Sequence, residues 1–455
     1  MAEQISTPTP ILYQNPTKTL TLLDIPTSIA HAQGTVDHPC NDQICASPPL
    51  QTPYPSTEPK TEKAKANVLR TKTPSDTDVG FPDALLQQAL REVAEHWPLE
   101  EDWCLPRKIT SLVSERQSRK RKADDAIDQV FSTQKRDSVH ASTAVLPASK
   151  IETEIGLDPS PSRTEPDFKF PDSEISVRSI EEPLILSSES TPKAYTCSDI
   201  RIFTNRLVRN PYPTLLSLQC SGVKYKTPPN ANFLLSKIGE PTAHAFSMAA
   251  LTLYPKSSAT AGPGQFDFVL LDPPWENRSV RRSARYDTMH DSDPMVVLQA
   301  MLGQHIAPGA LVGCWITNKA SVRDTALDAF QTWDVQLIEE WAWLKTTVGG
   351  LPITQIDGLW RKPYEVLLLG RKGSDEAQSS DSDVRRRVVV AVPDLHSRKP
   401  HLKTLIEPFI PASYRALEVF ARNLTAEWWS WGDEVLKYNW DGHWYTHKGS
   451  TQIYD

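Results

Sequence analysis

The residues with the clearest chemical potential are Asp272-Pro273-Pro274-Trp275, which directly follow the apolar run FDFVLL at 266–271. Ligands of α/β sheets bind at the carboxyl ends of strands, so we expect Asp272 at a binding crevice. The two prolines have a fixed φ and orient the carbonyls of the turn. A carboxylate and a carbonyl held in this way can accept both protons of an exocyclic amine and direct its lone pair at an electrophile. Trp275 offers a flat face for stacking a base. The alternative is a structural aspartate that caps a helix.

The segment after this turn is rich in side chains that bind phosphates. Its candidate substrate-binding residues are Asn277, Arg278, Arg281, Arg282, Arg285 and Tyr286. Arginine forks match phosphate oxygens in pairs, which favours a nucleic-acid backbone beside the amine. The alternative is an exposed polar loop that binds nothing. Trp343 and Lys345, in EEWAWLKTT, follow another apolar run and extend the candidate substrate site, although core packing is the more common role of a tryptophan.

The elements that must position these residues are six apolar runs, which alternate with helical patterns after residue 262. They are FDFVLL (266–271), ALVGCWIT (310–317), VQLIEEWAWL (335–344), YEVLLLG (364–370), RRVVVAV (386–392) and RALEVFA (415–421). Nearly continuous apolar strands alternating with helices predict an α/β fold, with a parallel sheet covered on both faces.

The rest of the chain divides by composition. The prediction is disorder over 1–80, a helical segment with a basic cluster over 81–131, a disordered linker over 132–195, a small accessory unit of helix and hairpin over 196–261, and the α/β domain over 262–455. Residues 1–80 are rich in Pro, Thr, Ser and Gln, a composition that buries too little apolar surface to offset the ordering entropy. The helix is predicted from Phe81, Leu85, Ala89, Val93 and Trp97, which recur at helical spacing. We therefore expect residues 196–455 to fold without the preceding chain.

Charge and cysteine content limit the class of protein. The formal net charge of -7 means that nucleic acid would have to bind at local basic patches. The six cysteines form no C-x-x-C pair, which predicts reduced thiols and no metal site. No apolar run approaches the roughly 20 residues that span a bilayer, and the first residues lack the pattern of a secretory signal, so we expect no membrane insertion or secretion. The basic cluster at 116–122 predicts recognition by a nuclear import receptor and a nuclear location; a solvated helix face is the alternative.

Several motifs together resemble one known family. DPPW after a strand, with PPNANFLLSKI, KPYEVLLLGR, LHSRKPHL and LEVFARNL followed by WSWGDEVLK, resembles the DPPW-motif adenine-N6 methyltransferases, in particular the methyltransferase-like protein 4 branch. The resemblance covers about residues 225–438. It implies transfer of a methyl group from S-adenosyl-L-methionine to N6 of adenine in nucleic acid. It also implies a Rossmann-like sheet with permuted order, in which the DPPW strand precedes the cofactor strand. The branch points to RNA, with adenosine or 2′-O-methyladenosine as in small nuclear RNA, and we expect a monomer rather than an obligate heterodimer.

The resemblance also suggests roles for individual residues. Lys399 would pair with the methionyl carboxylate of the cofactor, and Arg422 and Asn423 would hold its ribose. Asp433 and Glu434 lie where the family often has Asn-Gln or Asn-Glu; Asp433 departs from that pattern, which puts its donor role in doubt. Asp272 would also border the cofactor, and Tyr286 would close on the base. No metal or covalent nucleophile is needed, because the sulfonium is already activated and oriented proximity can contribute about 7–11 kcal/mol.

Two other functions are compatible with these residues. A DNA adenine methyltransferase would use the same groups. A catalytically silent nucleic-acid-binding partner would be expected to have lost part of the motif, whereas Asp272, Pro273, Pro274, Trp275 and Lys399 are all present. The complete set favours an active enzyme.

Overall fold

A computed structural model describes residues 9–56, 58–59, 61–63, 66, 80–98, 100–109, 184–186, 194–275, 293–359, 361–373, 384–395 and 397–446. Three of the sequence predictions fall wholly or largely outside these residues. They concern the basic cluster at 116–122, the arginine-rich segment that follows Trp275, and most of the linker at 132–195.

Strands dominate the described residues. They are β1 (Ile11–Gln14), β2 (Leu20–Leu23), β3 (Gln43–Ile44), β4 (Leu184–Ile185), β5 (Ala194–Cys197), β6 (Leu207–Arg209), β7 (Leu216–Cys220), β8 (Val223–Thr227), β9 (Asn232–Leu235), β10 (Phe266–Leu271), β11 (Ile306–Ile316), β12 (Val335–Lys345), β13 (Tyr364–Lys372), β14 (Arg385–Ala391), β15 (Ala416–Val419), β16 (Trp429–Gly432) and β17 (Trp444–Tyr445). The α-helices are α1 (Ile25–His31), α2 (Asp83–His96), α3 (Glu240–Leu253), α4 (Pro294–Met301), α5 (Ala320–Thr332) and α6 (Lys403–Ile406). No described helix is long and apolar enough to cross a membrane.

Twelve strands form one large sheet in the order β1-β2-β14-β12-β13-β11-β10-β15-β16-β9-β6-β4. Strand β10 pairs in parallel with β11 on one side and β15 on the other. From this centre the chain runs outward in both directions, since β11 follows β10 and β16 follows β15 along the sequence. A crevice between β10 and β15 is therefore expected at their carboxyl ends. The predicted α/β class is confirmed, and all six predicted strands are present within a few residues of their predicted bounds.

The predicted parallel sheet is confirmed in part, because the sheet is mostly but not entirely parallel. Strand β13 lies antiparallel between β11 and β12. The chain between Lys345 and Tyr364 contains no α-helix among its described residues. A loop suffices to join antiparallel neighbours, whereas parallel ones need a longer crossover. Two further antiparallel pairs, β1–β2 and β6–β9, lie towards the edges of the sheet.

The predicted disorder of 1–80 is wrong for most of its described part. Strand β2 pairs in parallel with β14, so the N-terminal segment extends the large sheet. Leu20, Leu22 and Leu23 are almost completely buried. Helix α1 follows at once, with Asp24 Oδ2 accepting a hydrogen bond of 3.0 Å from the Thr27 N–H. The average composition of this region concealed one short apolar run, LTLLDI, which is long enough to form a strand and begin a helix.

Helix α2 packs on the same domain. Phe81, Leu86, Ala89 and Val93 are buried in the main core, and the Phe81 N–H donates 3.0 Å to the hydroxyl of Tyr364. The helix prediction is confirmed, but Leu85 was assigned to the wrong face, because it is 37% exposed.

The predicted boundary at residue 262 is not a structural boundary. The hairpin β7–β8 is present, and its turn residues Ser221 and Gly222 both have positive φ. However, β6 and β9 belong to the large sheet, so residues 196–261 do not form a separate unit. The β4 strand also lies in this sheet, within the predicted linker.

Cys197 and Cys220 form a disulfide bond with a Cα–Cα distance of 4.9 Å. They face each other directly in the parallel pair β5–β7, which brings the two sulfurs together. The prediction of reduced thiols is therefore wrong for this pair. Cys40, Cys45, Cys104 and Cys314 are free.

Candidate active site

Strand alternation places the polar side chains of the candidate site on one face of the sheet. Five residues of the candidate site each lie an even number of residues along the chain from a side chain in a single buried cluster. They are Asp272, Trp315, Lys345, Glu365 and Glu418. Those reference side chains are Leu270, Leu311, Trp343, Leu367 and Ala416. Residues directly adjacent to these five along the strands belong to the core on the opposite face, among them Leu271, Ile316, Leu344, Val366 and Val419. Because side chains alternate along a strand, the five residues of the candidate site share one face of the sheet.

These side chains also share one edge of the sheet. Strands β10, β11, β12 and β15 run in the same direction and end there, while the antiparallel β13 begins there. Glu365 is the second residue of β13, so it lies at the same edge as Lys345, the last residue of β12. The predicted convergence of functional groups at the carboxyl ends therefore occurs, with one contribution from an amino end.

An ion-pair network links Asp272 of the Asp-Pro-Pro-Trp turn to Lys399. Lys399 Nζ lies 3.1 Å from Asp272 Oδ1 and 2.8 Å from Glu365 Oε2. Lys345 Nζ donates to the other oxygen of Glu365. The side chains of Asp272, Lys399 and Lys345 are each about 20% exposed, so the charges are partly removed from water.

The network determines the charge states of its members. Burial by itself would raise the pKa of Glu365, but Lys399 and Lys345 outweigh it and lower that pKa to about 2. Burial would lower the pKa of Lys399, but Asp272 and Glu365 outweigh it and raise that pKa. The charged forms of the Glu365 carboxylate and of the Lys399 ammonium are therefore both favoured, and the two groups face each other at the site.

Backbone contacts hold the Asp-Pro-Pro-Trp turn in place. The Asp272 N–H donates to Val419 O at 3.3 Å, and the Trp275 indole N–H donates to Trp315 O at 2.7 Å. The Trp275 N–H also donates to Pro273 O at 2.8 Å, which leaves that carbonyl one further lone pair for a ligand. Helix α4 is capped by Asp293 and not by Asp272, so the structure does not support a capping role for Asp272 at α4.

Trp343 packs in the core rather than at a binding surface. It is 4% exposed and meets Trp315 edge-on, with ring centroids 6.4 Å apart. Lys345 Nζ lies 4.4 Å above the Trp343 ring, which stabilises the ammonium from below. For Trp343 the packing alternative is therefore the observed one, and Lys345 alone remains positioned at the edge.

A cleft opens beside Asp272 with about 480 Å³ of empty space. Four of the sequence-predicted residues line it, namely Asp272, Lys399, Arg422 and Asn423. Asp433 and Glu434 do not line it. Glu434 instead accepts from Arg422 Nε at 3.1 Å and from Lys437 Nζ at 2.6 Å, so it positions Arg422.

Glu418 is a lining residue that sequence reasoning missed. Its Oε2 atom is buried and has no hydrogen-bond partner among the described residues. Burial, and to a smaller extent the charge of Asp272, raise the pKa of Glu418 to about 8. Glu365 was missed as well. The signal for both was a single acidic residue within an otherwise apolar strand, ALEV and YEVLLLG.

The N-terminal segment builds one wall of this cleft. Ile29 of α1 lines it, and the hydroxyl of Ser28 accepts from the His401 N–H at 3.0 Å. Gln33 Nε2 donates to Leu424 O at 2.6 Å, and its Oε1 accepts from Asn439 Nδ2 at 2.7 Å. These bonds connect the segments around His401, Leu424 and Asn439, which border the cleft, to the first forty residues.

Two non-glycine residues with positive φ border the cleft, Ser397 at 69° and Phe420 at 63°. Left-handed backbone is unfavourable for a bulky side chain and tends to occur at functional sites. Gly432, beside them, has no room for a side chain, since a Cβ there would come within 2.8 Å of Ala421 O.

The predicted phosphate-binding residues Asn277, Arg278, Arg281, Arg282, Arg285 and Tyr286 lie outside the described residues. Within the described ranges, no group of three or more His, Cys, Asp or Glu side chains is arranged to hold a metal ion.

Comparison with known proteins identifies the domain that carries this site. The MT-A70 family profile matches residues 266–434, from the start of β10 to just beyond β16. We call these residues, which are similar to that family, the MT-A70 domain. The turn Asp272–Trp275, Lys399 and Glu418 all fall within the MT-A70 domain, whereas Ser28, Ile29 and Gln33 of the cleft wall lie outside it.

Curated relatives share part of the chain. The N6-methyladenosine RNA methyltransferase MTA1 of Cryphonectria parasitica is 44% identical over 185 residues, which cover 39% of this chain and 54% of that protein. The N(6)-adenine-specific methyltransferase METTL4 of Homo sapiens is 35% identical over 242 residues, covering 51% of this chain and 48% of that protein. The DNA N6-methyl methyltransferase of Caenorhabditis elegans is 30% identical over 161 residues, covering 35% and 42%. The chain thus matches about half the length of these relatives.

Proposed function

We propose that the chain is an S-adenosyl-L-methionine-dependent methyltransferase that methylates N6 of adenine in nucleic acid. The observation that carries the proposal is the contact of Lys399 with Asp272 at the mouth of the cleft, since it joins the predicted cofactor cation to the predicted amine acceptor. The MT-A70 domain and its similarity to proteins named N6-adenine methyltransferases support the same conclusion.

The cleft residues fit the proposed cofactor. The methionyl end of the cofactor carries a carboxylate, which needs a cation, and an amine, which needs a hydrogen-bond acceptor. Lys399 can provide the cation, and Glu418 Oε2, which has no partner among the described residues, can provide the acceptor. Arg422 and Asn423 border the same space and have polar groups suited to ribose hydroxyls. When bound, the cofactor supplies an electrophilic methyl group on a sulfonium.

The chain's own residues position the amine. Lys399 holds Asp272 Oδ1, which leaves Oδ2 and the second lone pair of Pro273 O to accept the two amine protons. The indole of Trp275 is fixed by Trp315 O and offers a face to the base. This arrangement accelerates the transfer by orientation and electrostatic stabilisation, without a covalent intermediate.

RNA is the proposed substrate class, either adenosine or 2′-O-methyladenosine. MTA1 of Cryphonectria parasitica is named an RNA methyltransferase. It is 44% identical to this chain over the matched residues, compared with 30% for the Caenorhabditis elegans protein. DNA is the second candidate, favoured by the similarity to the Caenorhabditis elegans protein named for DNA. A single-stranded or unpaired adenosine would avoid the energy needed to extrude a base from a duplex. The arginine-rich segment at 277–286 would contact the phosphates.

The finer architectural and cellular features are part of the same proposal. The domain would have the permuted Rossmann-like order, because β10 with its Asp-Pro-Pro-Trp turn precedes β15 and the cofactor-side residues in the sequence. We also propose a nuclear location through the basic cluster at 116–122, and a monomeric enzyme.

The test is methyl transfer from labelled S-adenosylmethionine onto matched oligonucleotides that contain adenosine, 2′-O-methyladenosine or deoxyadenosine. Wild type, Asp272→Ala and the control Asp328→Ala, an exposed helix residue, are compared. We expect transfer to at least one RNA by wild type and the control, and none by Asp272→Ala. Cofactor binding without transfer to any oligonucleotide would instead support the catalytically silent binding protein. Absence of cofactor binding would contradict both the cofactor and the enzyme assignments.

A further inference from the structure

A second concave surface lies between the N-terminal segment and the loop that follows β12. It is open to solvent, and its cavity volume is about 280 Å³. Pro53, Tyr54 and Pro55 form one wall, and Leu351, Pro352 and Arg361 form part of the other. We call this surface the Tyr54 groove. It is distinct from the cleft beside Asp272, with which it shares no lining residue.

The walls of the Tyr54 groove are held in register by backbone hydrogen bonds. The Val348 N–H donates to Leu50 O at 2.9 Å, and the Tyr54 N–H donates to Ile353 O at 2.9 Å. Glu58 Oε2 accepts from the Leu359 N–H at 2.8 Å, so this carboxylate fastens the far end of the loop. The groove is therefore a built feature of the fold and does not depend on a chance arrangement of side chains.

Hydrogen bonds connect the wall of the Tyr54 groove to the candidate active site. The Ile353 N–H donates to Lys345 O at 3.1 Å, and Thr346 bridges to Pro352. Lys345 is the last residue of β12, and its ammonium binds Glu365, which binds Lys399. Lys345 therefore connects the two sites: its carbonyl accepts a hydrogen bond from the groove wall, and its ammonium belongs to the ion-pair network that holds Asp272.

The chemistry of the groove fits a nucleotide. Tyr54 is 50% exposed and Leu351 58% exposed, so a ligand would cover apolar and aromatic surface that water now contacts. Pro53 and Pro55 flank the tyrosine with apolar surface, and the tyrosine ring is the group on which a base can stack. Arg361 is exposed and forms no ion pair with any described residue, so it can face a phosphate. Because Glu58 lies on the same surface, the phosphate would approach from the Arg361 side.

We propose that the Tyr54 groove binds a nucleotide that flanks the target adenosine on the same single strand. Tyr54 stacks on its base, and Arg361 contacts its phosphate. The inference rests on the proposed function, because it supplies a substrate subsite for that enzyme. It assigns part of substrate recognition to residues 53–58, which lie outside the MT-A70 domain.

The test is a cycle that combines protein variants with abasic substitutions. Full-length wild type, Tyr54→Ala, Tyr54→Phe and the control Tyr445→Ala are prepared; Tyr445 is a similarly exposed tyrosine, at 46%, that does not line the groove. A fluorescent single-stranded RNA that wild type methylates is remade with one abasic nucleotide at each position around the target. The dissociation constant of each RNA is measured by anisotropy.

We expect Tyr54→Ala to weaken RNA binding roughly 5- to 100-fold, as stacking on one base predicts, with S-adenosylmethionine affinity unchanged. Tyr54→Phe and Tyr445→Ala should bind like wild type. One abasic position should weaken binding to wild type by a similar factor and have no further effect in Tyr54→Ala, because both changes remove the same contact. An RNA affinity unchanged in Tyr54→Ala, or equal losses at every abasic position, would overturn the inference. Failure of wild type to methylate any RNA or DNA oligonucleotide would overturn the proposed function instead.

Discussion

Lys399 Nζ lies 3.1 Å from Asp272 Oδ1, at the point where the chain leaves β10 and turns through two prolines. One ammonium therefore fixes the rotamer of the carboxylate that we assign to the amine. It also borders the space assigned to the cofactor. Binding of the two reactants is consequently coupled through a single side chain.

Replacing Lys399 with methionine keeps the length of the side chain but removes its charge. We expect the dissociation constant for S-adenosylmethionine to rise about 10- to 100-fold, since hydrogen bonds to charged groups contribute about 1.5–3 kcal/mol. Methyl transfer at saturating cofactor should also fall, because Asp272 would lose its positioning contact. Titration calorimetry gives the affinity, and Lys256→Met, an exposed lysine, is the control. Equal affinities for wild type and Lys399→Met would contradict the assigned role.

Acid should destabilise the protein through Glu365. Its pKa is about 2 in the folded state and near 4.5 ordinarily, so its stabilising contribution is present above about pH 4.5 and is lost as the pH falls towards 2. The contribution is at most about 3 kcal/mol. Urea unfolding at pH 7 and pH 3 should show that wild type loses up to this much more free energy of unfolding than Glu365→Gln. The same pH dependence in both proteins would show that the network does not hold the carboxylate.

Glu418 should have the opposite pH dependence. Its folded pKa of about 8 lies above the ordinary 4.5, so the folded state retains a proton that the unfolded chain has released. The free energy of unfolding of wild type should therefore decrease as pH rises from about 5 to 8, relative to Glu418→Gln, which imitates the protonated form. Denaturant titrations across this range measure the difference, with Glu101→Gln as an exposed control. A constant difference would mean that Glu418 is ionised in the fold.

Gln33 should support the cofactor cleft from outside the MT-A70 domain. Gln33→Ala removes the donor to Leu424 O and the acceptor for Asn439 Nδ2, both buried, at a cost of about 1–3 kcal/mol. We expect a lower melting temperature and a raised KM for S-adenosylmethionine, with a smaller change in kcat. Gln51→Ala, an exposed glutamine of the same segment, is the matched control.

Removal of the whole segment is a stronger form of this test. Deleting residues 1–56 would expose the β14 edge and remove the Cys45 carbonyl that accepts from Arg398. We expect an insoluble protein, or one without cofactor affinity. A soluble protein that binds the cofactor normally would restore the expectation from sequence that the first 195 residues are dispensable.

The parts of the site that could be predicted from sequence lie at the ends of recognisable strands. FDFVLL is apolar apart from Asp267, so its burial, and hence the location of Asp272, followed from local pattern. Motif resemblance assigned Lys399 to the carboxylate of the cofactor, and the structure places its ammonium 3.1 Å from Asp272 Oδ1. The strand carrying Glu365 was also recognised, because YEVLLLG is apolar apart from its one acid.

The remainder depended on pairings between distant parts of the chain. Nothing local to LTLL indicates that it would pair with β14, and nothing in YEVLLLG indicates that this strand would run against its neighbours. The importance of Glu365 and Glu418 follows only when alternation is combined with strand order, because both must face the same side as Asp272. The assignment of Leu85 to the buried face failed for a related reason, since Leu86 occupies that face.

The N-terminal contacts have a consequence for biosynthesis. Gln33 bonds to partners 391 and 406 residues further along the chain. Strand β2 and helix α1, which precede Gln33, therefore complete their docking only after a further 391 to 406 residues have been translated. Until then their apolar side chains remain open to other partners, and contacts of such long range form slowly. A chaperone that shields the nascent N-terminus would be expected to raise the yield of native enzyme, and premature termination would leave a chain whose cofactor cleft cannot be completed.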